Sequence, residues 1–236
     1  MREFGSFDFI IVGAGSAGCV LANRLSADGK HSVLLLEAGG EDSNPWIHIP
    51  LGYGKLFNDP KVNWLFKTKP QPGLNGRVIN QPRGKVLGGS SSINGLVYIR
   101  GQRQDFDQWR DLGNDGWGYD DVLPYFIKAE DQARGADAFH GQGGPLPVSD
   151  QSEPHPLCDA FIDAAEQAGH PRNPDFNGAD QEGAGYYQTT SRKGLRISAA
   201  VAYLRPAGKR SNLTVVTHAQ ASRLLFEGKR CIGVEW

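Results

Sequence analysis

Phe7-Asp8-Phe9-Ile10-Ile11-Val12-Gly13-Ala14-Gly15-Ser16-Ala17-Gly18 is the stretch on which the fold turns. Residues 7–12 form a nearly continuous apolar run that ends at a glycine, the pattern of a buried parallel strand. Residues 16–27 then read as a helix with Val20, Leu21 and Leu25 on its apolar face, closed by Asp28-Gly29. Residues 32–37 read as a second buried strand. Strand, helix and strand make a βαβ unit of about thirty residues, the usual size. In Gly13-x-Gly15-x-x-Gly18, Gly13 makes the tight turn. Gly15 lets a pyrophosphate approach the backbone, and Gly18 lets helix and strand pack closely. The amides near Ser16 and Ala17 then face a phosphate, helped by the helix dipole. Glu37 lies 19 residues past Gly18, where an acid holds a ribose 2′-hydroxyl. That acid argues against a 2′-phosphate, but the unit alone leaves NAD and FAD both open.

A second glycine-rich segment follows: Gly84-Lys85-Val86-Leu87-Gly88-Gly89-Ser90-Ser91-Ser92-Ile93-Asn94. Gly88-Gly89 permits close backbone approach, Ser90, Ser91 and Ser92 supply small hydroxyls and amides, and Asn94 both donates and accepts. Local composition alone also fits an ordinary loop capping a helix. Continued through Tyr98, Gly101 and Asp107, the segment resembles the first signature of the glucose–methanol–choline (GMC) oxidoreductases, position by position over 24 residues. His140-Gly141 with Gly144-Pro145-Leu146, Gln181-Glu182-Gly183, and Arg196-Ile197-Ser198 with Ala202-Tyr203-Leu204 resemble the same family. So does Asn212-Leu213-Thr214-Val215 with Thr217 and Ala219. Residues 49–57 (IPLGYGKLF) are similar to its bacterial choline dehydrogenase-like members.

The resemblance implies an α/β, Rossmann-like FAD-binding fold with part of a substrate-binding domain. Residues 1–236 would be the N-terminal FAD-binding portion, with the C-terminal half absent. It implies FAD held at its ADP half by Gly13, Gly15, Ser16, Ala17, Gly18, Glu37 and Ala38. Val86, Gly89, Ser90, Asn94, Gly95, Leu96 and Val97 would lie along the pyrophosphate and flavin. A strand at Ala219-Gln220-Ala221 would bring Ala221 to the adenine. Trp64 either flanks the flavin or packs under a loop. Some members attach FAD through a histidine just before the motif's asparagine; Ile93 stands there, so the expectation is non-covalent FAD. A photodecarboxylase branch carries cysteine where this chain has Ser92, which argues against a light-driven lyase.

The implied activity is oxidation of a small alcohol to an aldehyde by hydride transfer to the flavin N5, with oxygen or a quinone as acceptor. The family's catalytic histidine would lie beyond Trp236, so the 236-residue chain alone is expected to be inactive. The alternatives are an NAD-dependent dehydrogenase, a lyase of the same family, and a non-catalytic FAD-binding fragment.

The remaining features are consistent with this. Hydrophobic residues make up 39% and charged residues 22%, as in soluble globular proteins, and no apolar run reaches membrane-span length. A net charge of -1 excludes a general attraction to nucleic acid. Met1-Arg2-Glu3-Phe4-Gly5-Ser6 leads straight into a strand, so no signal peptide is expected. Cys19, Cys158 and Cys231 are odd in number and far apart, which points to no disulfide framework and a cytoplasmic setting, with a peripheral membrane position left open. No histidine pair has HxxxH or HExxH spacing, so no metal site is expected. Ser90, Ser91 and Ser92 lack a G-x-S-x-G elbow. Residues 38–83 are rich in Gly, Pro, Asn and aromatics, a long irregular stretch expected to cover cofactor or substrate. Arg77, Arg83, Lys85, Arg100 and Arg103 read as a solvated basic face. Helices are also predicted over 92–99, 106–112, 119–133, 156–168 with Leu157, Phe161, Ile162 and Ala165 on one apolar face, and 198–203, the last stopping before Pro206.

Overall fold

The structure is a computed structural model that describes residues 4–236. Met1, Arg2 and Glu3, part of the stretch on which the expectation of no signal peptide rests, lie outside the described residues. The chain divides into two compact units: residues 1–95 with 195–236, and residues 96–194.

The first unit contains the predicted βαβ. Strand β1 (Phe9–Val12) runs parallel to β2 (Val33–Leu36), with Phe9 opposite Val33 and Val12 opposite Leu36. A third strand, Leu213–Val216, pairs in parallel with the other edge of β2, so β2 is central and all four of its residues are buried. β1 is an edge strand, contrary to the burial expected of it. Ile11 is buried, but Phe9, Ile10 and Val12 are 37%, 37% and 53% exposed. An apolar run fixes parallel pairing and leaves open which strand is central.

Helix α1 (Ser16–Leu25) connects the two strands, but its buried face is not Val20, Leu21 and Leu25. Gly18, Cys19, Ala22 and Asn23 are buried instead, and Leu21 is exposed. Small residues win this face because α1 packs closely on β1, β2 and the helical turn Ala200–Leu204. A Cβ on Gly18 would stand 1.9 Å from the Gly13 carbonyl oxygen, so the close packing requires glycine there. The Ala200–Leu204 turn is π-helical and runs on through Arg205–Ala207, so the helix does not stop before Pro206. The wide turn frees carbonyls, and Asn23 Nδ2 donates to that of Tyr203 at 2.7 Å.

Residues 38–83 hold only short elements, among them the helical turns Pro45–His48 and Tyr53–Leu56, the 3₁₀ turns Pro50–Gly52 and Pro72–Leu74, and the paired strands Phe66–Lys67 and Asn80–Gln81. They are anchored by an apolar cluster of Ile47, Leu56, Val62, Val86 and Ile93. No helix spans 92–99. Gly89–Ser92 is a 3₁₀ turn, and Val97–Tyr98 is a strand.

In the second unit, Val97–Tyr98 pairs antiparallel with Gln188–Thr189, and Glu130–Gln132 pairs parallel with Leu146–Val148. The helix Tyr119–Ala129 stops short of 133 because the chain becomes that strand at Glu130. The helix Pro156–Gln167 buries only Ile162; Leu157 and Phe161, expected on its inward face, are exposed. The unit is centred on polar groups. Glu130 is fully buried and pairs with Arg100 at 2.9 Å. His140 places Nδ1 3.0 Å from Glu130 and Nε2 2.9 Å from Asp175. Arg100 is therefore internal rather than part of a solvated basic face, and Arg103 pairs with Asp120. Among the described residues no helix is long and apolar enough to cross a membrane.

Candidate functional site

The two glycine segments meet. The Gly88 amide donates to the Ala14 carbonyl at 2.7 Å. A Cβ on Gly89 would lie 2.7 Å from the Gly15 Cα, and Gly89 has φ +54°, so glycine is required both for the approach and for the backbone conformation. The second segment is thus a wall built against the turn made by the first. Gly13 closes that turn, with φ +92° and its amide bonded to Leu36 O at 2.7 Å.

The turn delivers α1 with its amino end open. Gly15 is the N-cap and offers no side-chain cap. The first intrahelical acceptor, Gly15 O, takes the Cys19 amide at 3.0 Å, which leaves the amides of Ser16, Ala17 and Gly18 without a partner among the described residues. A Cβ built on Gly15 would meet nothing within 4 Å, so open space lies above the turn. Unpaired amides, the positive end of a helix and free space beside glycine backbone fit an anionic diphosphate.

Glu37 sits at the end of β2, 5% exposed, and ties the surrounding loops together. Its Oε2 accepts from the Ala14 amide and its Oε1 from the Gly39 amide, both at 2.8 Å. Each oxygen retains acceptor capacity for a hydroxyl. The Glu37 backbone joins the third strand: its amide donates to Val216 O at 2.9 Å, and its carbonyl accepts from Ala219 at 2.8 Å. Ala38 follows, half-buried. Ala219-Gln220-Ala221 is a connection between strands rather than a strand, because the pairing partner β2 ends at Leu36 and the next pairing begins at Arg223. The bond to Glu37 still brings this connection beside the acid.

The remaining site candidates behave differently from one another. The Val86 side chain is buried in the apolar cluster, so only its backbone is available. Ser90 Oγ accepts from the Gly84 amide at 3.1 Å. Asn94 and Gly95 are exposed at the end of the first unit's segment, and Leu96 and Val97 belong to the second unit. Leu96 has φ +66°, and Val97 opens the strand paired with Gln188–Thr189. Trp64 stacks on Phe66 at 5.6 Å and 7°, with Lys85 Nζ 4.5 Å above its ring. Cys19 is buried beneath the turn, where burial pushes its thiol up to about 12, an inert packing group.

Arg196 carries no role in the sequence reading, although it stands inside one of the quoted stretches. The structure buries it to 1% exposure and turns it onto the end of the second glycine segment. Its Nη1 donates to Asn94 Oδ1 and its Nη2 to Asn94 O, both at 2.6 Å. The signal for it was weak, because its acceptors are mostly backbone carbonyls that no residue type announces.

The chain is similar to known proteins over nearly its whole length. Residues 7–236 match the family described as GMC oxidoreductase. An oxygen-dependent choline dehydrogenase of Photobacterium profundum is 50% identical over 232 residues, 98% of this chain and 41% of that protein. An alcohol dehydrogenase [acceptor] of Pseudomonas putida is 49% identical over 231 residues, 98% of this chain and 42% of that protein. Among solved structures, pyridoxine 4-oxidase from Mesorbium loti superposes with a TM-score of 0.93 at 39% identity, over 97% of this chain and 45% of that one. The chain spans about two fifths of the length of the curated relatives it matches.

Proposed function

The chain belongs to the GMC oxidoreductases, and on that premise we propose that it holds FAD, without a covalent link, for the oxidation of a small alcohol to an aldehyde. The observation that carries the reading is the junction of Gly88-Gly89 with Ala14-Gly15 beside the unpaired amides of Ser16, Ala17 and Gly18. Those amides take the diphosphate. Glu37, with acceptor capacity left on both oxygens, takes the adenosine ribose, and the backbone at Ala221 lies on the adenine side. Gly89, Ser90, Asn94 and Gly95 run along the flavin, with Val86 contributing backbone only. Trp64 and residues 38–83 cover the cofactor and substrate from the loop side.

FAD, when bound, supplies at N5 the acceptor for the hydride that leaves the alcohol carbon. The hydroxyl proton needs a base, and no residue of this chain is assigned that role. The protein's own part is to bind, orient and shield. Ile93 is apolar and buried in the cluster with Val86, so that position offers no nucleophile to the ring. Choline is the first substrate to test, given the likeness to choline dehydrogenases, and oxygen or a quinone is the acceptor class. A cytoplasmic setting, with a peripheral membrane position left open, belongs to the same proposal.

Anaerobic addition of choline to a full-length, FAD-loaded protein that contains this chain should bleach the flavin absorbance, after which oxygen or a quinone restores it, whereas the 236-residue chain alone should hold FAD without rapid bleaching. A full-length protein that binds FAD but bleaches with no alcohol tried would remove the alcohol-oxidising part of the reading, and rapid bleaching by the 236-residue chain would remove the expectation that it is inactive alone. NAD uptake in place of FAD would remove the cofactor assignment.

A further inference from the structure

Arg196 is charged, buried and without a counter-ion among the described residues. Its Nε donates to Ile47 O at 2.7 Å, and its Nη1 also donates to Ser91 O at 3.1 Å, besides the two bonds to Asn94. Every one of these acceptors is neutral. Burial pulls its pKa down to about 10, and no neighbouring acid pulls it back, so the group remains a cation at neutral pH. A buried charge is costly unless it meets an opposite one. Hydrogen bonds to carbonyls satisfy the guanidinium's donors but do not cancel its charge.

The position of that charge is specific. The Gly89–Ser92 turn touches Gly15 at its glycine end, and Arg196 grips its other end through Ser91 O and Asn94 O. Ser91 is itself locked, its hydroxyl donating to Gly88 O at 2.5 Å and accepting from the Ala199 amide at 2.9 Å. Because Asn94 Oδ1 faces Arg196, the orientation of the Asn94 amide is set, with Nδ2 directed away from the guanidinium.

We propose that Arg196 is a positioning residue for the flavin: it orients Asn94, and its uncompensated charge is balanced by negative charge on the bound isoalloxazine, which rises on reduction. This rests on the reading of the site as an FAD site. Arg196 thereby favours the reduced over the oxidised cofactor and makes the FAD-free protein electrostatically incomplete.

The test uses wild-type protein with Arg196→Gln, Arg196→Lys and Asn94→Asp, each reconstituted with FAD. In Arg196→Gln the balance of reduced over oxidised flavin should fall about tenfold, a drop of about 30 mV in midpoint potential for a two-electron couple. Arg196→Lys should recover most of it, because the charge is kept and only the fork is lost. Asn94→Asp gives the guanidinium a carboxylate of its own. Its FAD-free form should melt at a higher temperature than wild type while its potential falls, two opposite changes that a purely structural arginine would not produce. ADP binding, read by calorimetry, should be the same in Arg196→Gln and wild type.

Equal losses of ADP and FAD affinity in Arg196→Gln would assign the charge to the diphosphate and overturn the proposal. So would equal potential losses in the Gln and Lys variants, or a potential unchanged in both Arg196→Gln and Asn94→Asp. If Arg196→Gln does not fold, Asn94→Asp, which keeps the arginine, decides alone. A wild-type protein that takes up no FAD overturns the site reading and this proposal together. FAD uptake with potentials indifferent to these changes overturns this proposal only.

Discussion

Arg196 in the first unit and Arg100 in the second are both almost fully buried, 1% and 6% exposed, and they meet their surroundings in opposite ways. Arg100 pairs with Glu130 at 2.9 Å and donates to Phe139 O at 2.7 Å, while His140 bridges Glu130 to Asp175. Charge there is closed within the chain, so the cluster is a structural one. Among the described residues Arg196 meets only carbonyl and amide oxygens, and the same unit leaves the amides of Ser16, Ala17 and Gly18 open. Where a chain balances its buried charge, it is building a core. Where it leaves helix-end amides unpaired beside the open space at Gly15, it has the donors an anion needs.

The largest expected effect lies on the closed side. Arg100→Met removes the guanidinium from the fully buried Glu130 carboxylate and leaves it to His140 and the Gly141 amide, and removing one partner of a buried pair costs about 3–5 kcal/mol. Urea unfolding followed by circular dichroism reads this directly. A loss under about 1 kcal/mol would mean the cluster is not what holds the second unit, since that is the scale of an exposed pair.

Next come two glycines of the open side. Gly18→Val drives a Cβ to within 1.9 Å of Gly13 O and should cost about 1–3 kcal/mol or more, with loss of FAD binding. Gly15→Ala has room for its methyl and an ordinary φ of -77°, so its melt should stay near wild type while FAD affinity falls. Equal FAD affinity in Gly15→Ala and wild type would place the diphosphate elsewhere.

A smaller effect follows pH. The hydrogen bond that His140 donates to Glu130, followed by the one it donates to Asp175, raises the His140 pKa above 6.5 against the opposing effect of burial. Both ring nitrogens face carboxylate oxygens, so the imidazolium is the form that fits. A group whose pKa is raised on folding contributes stability that is complete below the unfolded value of 6.5 and is lost as pH climbs through the folded one. Thermal midpoints should therefore fall on the alkaline side of that window, and His140→Gln should flatten the decline. An unaltered slope would show that His140 is not the titrating group.

The smallest effect belongs to the surface. Arg103 and Asp120 form a two-bond pair at 2.8 and 2.9 Å, but both are exposed. Arg103→Ala should leave the unfolding midpoint within experimental error.

The legibility of these features in the sequence follows the same division. Gly13, Gly15, Gly18 and Glu37 could be read because a tight turn, a close approach and an end-of-strand acid are local demands, each met by one residue type. Gly88-Gly89 could be read for the same reason. That the two segments touch could not, because the contact is between backbones some seventy positions apart. Apolar periodicity misled at Val20, Leu21, Leu157 and Phe161, since it identifies a face able to pack without naming what covers it. β1 failed likewise, because its apolar run is compatible with either edge or centre. The sequence puts Arg100 in a solvated basic face and gives Arg196 no role. Only partners brought from distant positions, Glu130 for one and Asn94 for the other, separate a closed charge from an open one.

The account stands or falls on whether the junction of the two glycine segments holds FAD without a covalent bond. Acid precipitation of the purified, FAD-equilibrated protein tests it most directly. The account predicts a yellow protein that releases intact FAD into the supernatant, about one per chain by the one-site arithmetic of ligand binding, with Gly15→Ala releasing far less. A protein that takes up no flavin, or one whose flavin stays with the precipitate, would contradict it.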